Sequence, residues 1–239
     1  VKNDGTLWAW GAGFTGELGL NTGVNTHYSS PVQVGSGTTW KLVACGTYST
    51  FAIKYDGTLW AWGDGVNGAL GLGSVTNRSS PIQIGSGTDW KLIATGLYNS
   101  AAIKNNGTLW TWGQGSNGGL ALEDVAHRSS PVQVGSLTNW KQAGYGANLL
   151  GVINTNNELW VAGMNNNALG QGALGLGDIT SRSSLVQVGL MTNWKQVSCG
   201  RAHITAIKTD GTLWTWGANG FGQLGLGNIT HRSSPVQVG

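Results

Sequence analysis

Charge is scarce in this chain. Only 10% of its 239 residues are Asp, Glu, Lys or Arg, against roughly 25% in an ordinary soluble domain. Cysteine is limited to Cys45 and Cys199, too few for a disulfide framework. There are 4 Pro, and Gly has no three-residue period, which excludes a collagen helix. No apolar run approaches the roughly 18 residues that a membrane-spanning helix needs. Hydrophobic residues still make up 40% of the chain, enough for a core, and the aromatic content argues against disorder. What the sequence has in excess is Gly, with 41, and Trp, with 13.

Self-comparison explains both. Leu7-Trp8-Ala9-Trp10-Gly11 recurs from Leu59, Leu109, Leu159 and Leu213, at spacings of 52, 50, 50 and 54 residues. Ser29-Ser30-Pro31-Val32-Gln33-Val34-Gly35 recurs from Ser79, Ser129, Ser183 and Ser233. A third block, Trp-Lys before a short apolar run, starts at Trp40, Trp90, Trp140 and Trp194. All 13 Trp fall in these repeat slots, so they are architectural before they are anything else.

Each unit reads as four short strands; in the second they are residues 41–44, 51–54, 58–62 and 81–84. Asp56-Gly57 joins the middle pair, with Asp4-Gly5, Asn106-Gly107 and Asp210-Gly211 equivalent, and the pattern predicts type I′ hairpin turns. Leu59 and Ala61 face one side of their strand, Trp60 and Trp62 the other. Four-stranded units of this length in series describe the blades of an all-β propeller.

In the last unit Cys199-Gly200 leads to His203 and Ala206, then Trp216-Gly217, Asn219, Gly222-Gln223-Leu224-Gly225-Leu226-Gly227 and Pro235-Val236-Gln237-Val238. This pattern resembles the repeat of the regulator of chromosome condensation (RCC1) family. The resemblance covers essentially the whole chain and implies a ring of seven blades. Four complete units, 40–89, 90–139, 140–193 and 194–239, follow a half blade at 1–39 that has only the last two strands. The expectation is one RCC1-type propeller domain or fragment, completed by a missing segment or by another chain.

Twelve of the 13 cations are repeat-locked, with only Arg201 outside the pattern, so a pI near 9.0 does not mark a nucleic-acid surface. Arg78, Arg128, Arg182 and Arg232 precede the Ser-Ser pairs, and Tyr28 holds that slot in the first unit. In a ring they form a circle on one loop face that suits acidic protein loops, sulfated glycans or phosphate. The alternative is that each Arg bonds loop carbonyls of its own or the next blade. His127 and His231 share a loop slot with His27 on the same candidate face; lying in different blades, they do not suit a metal site. The fourth unit departs most: Ala162 replaces a Trp, Leu185 replaces Pro, and its longer loop offers Asn165, Asn166, Asn167 and Gln171 for adaptable hydrogen bonding.

No carboxylate pair, nucleophile elbow or P-loop marks an active site. The expected function is a non-enzymatic protein-interaction or structural scaffold, with no cofactor, metal or membrane and a protein or glycan ligand on a loop face. The alternatives are guanine-nucleotide exchange on a small GTPase, the activity of the family's namesake, and a lectin-like or viral-appendage propeller. Asn77-Arg78-Ser79, Asn106-Gly107-Thr108 and Asn228-Ile229-Thr230 fit the glycosylation triplet, a weak pointer to the cell surface or exterior.

Overall fold

The computed structural model describes every residue except 24, 168 and 169, and every side chain among those but Asn167 and Gln171. Four four-stranded meanders follow a two-stranded sheet of Trp8–Gly11 and Tyr28–Gln33. Blade 2 is Trp40–Cys45, Ser49–Lys54, Leu59–Gly63 and Arg78–Gln83, each strand beside its sequence neighbour. Blades 3, 4 and 5 start at Trp90, Trp140 and Trp194 and repeat that order. The only helices among the described residues are two single turns, Val66–Gly68 and Ser116–Gly118. None of the described helices is long and apolar enough to cross a membrane.

The fourth strand begins earlier than the sequence suggests, at Arg78 rather than Pro81. Gly63 pairs with Arg78 and Ala61 with Ile82, and the register shifts between them. That irregularity absorbs the Ser-Ser pair, and Pro81 is tolerated because its strand lies at the sheet edge.

The hairpin turn also differs from the expected type. Gly57 donates to the Lys54 carbonyl, and Lys54 donates to the Thr58 carbonyl, both at 3.0 Å. Gly57 has φ +78, while Asp56 is not left-handed. This is a three-residue loop, a tight turn followed by one left-handed residue, not a type I′ turn with two. Asp56 serves it through its side chain, accepting from the Thr58 amide at 2.9 Å and the Thr58 hydroxyl at 2.7 Å. The Thr58 hydroxyl in turn accepts from Trp60 Nε1 at 2.8 Å. Asp–Thr–Trp chains recur at Asp4, Thr6 and Trp8 and at Asp210, Thr212 and Trp214.

Contacts divide the chain into two compact units: Val1–Asn106 with Trp110–Gln114 and His127–Val132, and Gly107–Leu109 with Gly115–Ala126 and Gln133–Gly239. Within the first, the Trp62 face of blade 2 packs with Leu7, Val34 and Trp40. Its Leu59 and Ala61 face packs with Trp90, Ala102 and Trp112. Within the second, Leu159 and Val161 pack with Trp194, Ala206 and Trp216. The two faces assigned from alternation are thus both buried, each against a different neighbour. Each Trp buries on the order of 200 Å² of surface, an upper bound of about 5 kcal/mol.

A glycine of the preceding loop meets each of these indoles. A Cβ on Gly19, Gly71 or Gly175 would lie 2.6, 2.8 or 2.5 Å from Nε1 of Trp62, Trp112 or Trp216. All three glycines are left-handed, with φ of +70, +69 and +72. Blade 4 breaks the pattern on both sides at once. Its Trp is Ala162, and the loop residue facing that slot is Ala121, still left-handed at φ +57. The hydrogen bond is replaced as well. Trp62 Nε1 donates to the Glu17 carbonyl at 2.9 Å and Trp112 Nε1 to the Ala69 carbonyl at 3.1 Å. In blade 4 the matching carbonyl, Gly119, accepts from the Tyr145 hydroxyl. Tyr145 and Ala162 flank Leu150 in one row of the sheet, as Cys45 and Trp62 flank Thr50.

Candidate interaction surface

The loop between the third and fourth strands is built from its own polar groups. Asn219 is fully buried; its amide nitrogen donates to the Asn228 and Thr230 carbonyls at 2.8 and 3.0 Å, and its oxygen accepts from Leu224. Asn165 makes the same set to Asp178, Thr180 and Leu174 and is equally buried. Asn165, a candidate ligand contact by sequence, is therefore a loop organiser. Asn166 is exposed and accepts from the Ser181 hydroxyl. The backbone of Asn166–Asn167 pairs with Gly170–Gln171 as a short ribbon; the side chains of Asn167 and Gln171 lie outside the described residues.

The His slot has a local explanation. Nδ1 of His231 accepts from the Asn219 amide at 2.9 Å, and Nδ1 of His27 accepts from Gly13 at 3.1 Å. The Asn77 side chain and the Ser181 hydroxyl accept from the matching amides of Gly65 and Asn165. The slot asks for an acceptor, which His, Asn and Ser all supply. His127 occupies the same position in blade 3 and is exposed.

The four Arg and Tyr28 are half-buried at the start of the fourth strands. Arg78 and Arg128 each donate from Nη1 to the carbonyl of the preceding residue, at 3.3 and 3.4 Å. Arg182 donates to the Thr180 carbonyl at 2.6 Å and pairs with Asp178 at 2.5 Å. Three of the four thus brace their own loops. A guanidinium has five N–H donors, and Arg78 commits one of them here. Three residues before each Arg stands an exposed branched aliphatic: Val75 at 64%, Val125 at 61%, Ile179 at 51% and Ile229 at 69%.

The sequence reading missed what the repeat-locked lysines at strand ends do. The Lys54 ammonium lies 4.8 Å from the Trp40 ring centroid and 3.9 Å from that of Trp60. Lys104 sits 4.8 Å from both Trp90 and Trp110, and Lys208 lies 5.0 and 3.7 Å from Trp194 and Trp214. Lys2 lies 4.0 Å from Trp8. Such contacts contribute about 0.5–2 kcal/mol each, depending on desolvation. The signal was present: each such Lys precedes by six residues the first Trp of the Leu-Trp block, the first-slot Trp (Trp8, Trp60, Trp110 and Trp214).

Of the thirteen Trp only Trp10 is exposed, at 58%. It lines an apolar groove of about 640 Å³ with Leu7, Trp8, Leu18, Val34 and Trp62, beside the two-stranded first sheet. Cys45 is exposed and Cys199 is a free thiol that burial pushes up to about 12.

Models of the regulator of chromosome condensation (RCC1) repeat match residues 4–53, 56–103, 106–153 and 210–239, and a second model of that repeat matches 40–69, 90–118 and 194–223. The chain belongs to the RCC1 repeat family. It is 39% identical over 75 residues to the Ultraviolet-B receptor UVR8 of Arabidopsis thaliana, covering 30% of this chain and 17% of the receptor. Human WBSCR16 superposes with a TM-score of 0.80 at 21% identity, over 94% of this chain and 60% of that one. Yeast RCC1 (Prp20), solved bound to Kap60, gives 0.80 at 18% identity, over 98% and 57%. These likenesses establish the RCC1-type propeller fold. The chain spans less than two thirds of each of these relatives.

Proposed function

We propose that this chain is a non-enzymatic protein-interaction scaffold that contacts partners through the loops ahead of its fourth strands. The observation that carries the reading is the recurrence, in each complete blade, of an exposed Val or Ile three residues before a half-buried Arg. Arg is enriched at protein interfaces, and an apolar contact beside it adds desolvation. The chemistry suits a partner segment with acidic side chains flanked by aliphatic ones. Prp20 of Saccharomyces cerevisiae has been studied for its binding to Gsp1p and histones, which supports protein partners as a use of this fold.

Titration with an acidic peptide carrying interspersed Leu tests the reading. Saturable binding is expected, weakened by Val75→Ser and by Arg78→Gln by about 1 kcal/mol or more each. Binding that ignores both substitutions, or none at all, would refute it. Accelerated nucleotide release from a small GTPase, abolished by loop substitutions, would favour the exchange activity instead.

A further inference from the structure

We propose that Trp140, Trp160 and Glu158 of blade 4 form a binding site for an alkylammonium group supplied from outside the chain. This site is independent of the loop surface described above.

The blades of this chain differ in how they fill one aromatic cage. Trp40 pairs across the sheet with Lys54, Trp90 with Lys104 and Trp194 with Lys208. In each case the lysine ammonium lies 3.7–5.0 Å from the centroids of that Trp and of the first-slot Trp. Blade 4 keeps the two rings. Trp140 and Trp160 stand 6.3 Å apart at 89°, against 6.0 Å and 79°, 6.0 Å and 77°, and 6.2 Å and 82° in blades 2, 3 and 5. The residue paired with Trp140 is Asn154.

Asn154 does not take over the lysine's role. It carries no charge, and its side chain ends two bonds short of a lysine ammonium. It is also committed to the turn. Its Oδ1 accepts from the amides of Asn156 and Glu158, both at 3.0 Å, and its Nδ2 donates to Glu158 Oε2 at 2.5 Å. A second exchange accompanies the first. The Thr that accepts the indole N–H in blades 2 and 5, at 2.8 and 2.9 Å, is Glu158 here. Trp160 Nε1 is consequently buried without a partner.

Blade 4 has thus exchanged a cation and a hydroxyl for an amide and a carboxylate while keeping both aromatic faces. Two indole faces with an acid beside them attract a cation electrostatically. The alkyl stem of the ligand would lie along the rings, as the lysine stems do in the other blades. In blade 4 Trp140 and Asn154 are buried and Trp160 is half-buried, so a ligand reaches the position from the Trp160 side. The nearby chain cation is Lys141, the neighbour of Trp140, whose ammonium donates to Asn157 Oδ1. It is the competing occupant.

The test uses the full chain with ¹⁵N-labelled Trp, following indole resonances during titration with n-butylammonium chloride. Saturable shifts are expected at Trp140 and Trp160 and not at Trp60 or Trp214, whose cages are filled. Sodium chloride at matched ionic strength and n-butanol should produce neither. Asn154→Lys, which restores the residue of the other blades, should abolish the response. Glu158→Gln should weaken it about threefold to tenfold. Nα-acetyl-lysine methylamide should compete and its Nε-acetylated form should not, if the source is a lysine of another protein. Competition by butylammonium alone assigns the site to free amines. The proposal is overturned by the absence of a saturable shift, by a response that survives Asn154→Lys, or by Lys141→Met moving both indole signals before any amine is added.

Discussion

The paired exchange at blade 4 makes a quantitative prediction about Ala162→Trp. An indole placed there as in the other blades would lie about 2.5–2.8 Å from the Cβ of Ala121, the range measured for a Cβ built on Gly19, Gly71 or Gly175. That is inside the distances real Cβ atoms show, and Tyr145 already uses the Gly119 carbonyl. Overpacking of this kind costs about 1–3 kcal/mol, and the lost Tyr145 bond places this case near the upper end. Ala121→Gly alone should be nearly neutral. It removes a buried methyl, about 0.8 kcal/mol, but relieves a left-handed alanine, about 1 kcal/mol. The double variant should recover at least about 1.5 kcal/mol relative to the sum of the singles. For a chain of this size, Ala162→Trp should lower the thermal midpoint by roughly 6–12 °C. Thermal and urea unfolding of the four proteins reads the cycle directly. Strict additivity, with no coupling between 121 and 162, would refute the reasoning.

Lys54→Met should lower stability by about 1–2 kcal/mol by removing the ammonium from Trp40 and Trp60 while keeping most of the stem; Lys41→Met, at an exposed lysine outside any ring contact described, should change it by less than about 0.5 kcal/mol. Equal effects in thermal unfolding would show that the cages do not stabilise the blade. Iodoacetamide at pH 8 should label Cys45 and spare Cys199, whose thiol is held up near 12 by burial; mass spectrometry finding both labelled would contradict the packing of blade 5. Hydrogen bonds from Thr58 and Thr212 hold Asp56 and Asp210 below their ordinary value of 3.8. Their contribution is therefore present above that value and lost as pH falls through the lowered one. Stability should decline further below about pH 4 as these carboxylates protonate, and Asp56→Asn should flatten that part of the decline.

Much of the fold was legible because each repeat states its strands, turns and Trp positions several times over. The turn type was not, because Asp-Gly is compatible with both a two-residue and a three-residue loop; the backbone at Asp56 and the Lys54–Thr58 bond decide between them. The lysine cages were missed because Lys and Trp were each counted as repeat positions and not as partners across the register. Ala162 read only as a replaced Trp, yet Ala121 and Tyr145 differ from the other units along with it, a correlation visible only once the preceding loop is known to press on that slot. For the site, the Arg and the aliphatic residues were separately countable, but their exposure was not. Asn165 resembled a ligand contact because a polar loop residue and a buried loop organiser look alike in sequence.

Hydrogen exchange of the complex with an acidic, Leu-containing peptide tests the scaffold reading most directly. Slower exchange should appear at residues 75–78, 179–182 and 229–232, and fade as salt rises, because guanidinium contacts are screened. Protection confined to the groove at Trp10, or no change in those loops at saturating peptide, would contradict it.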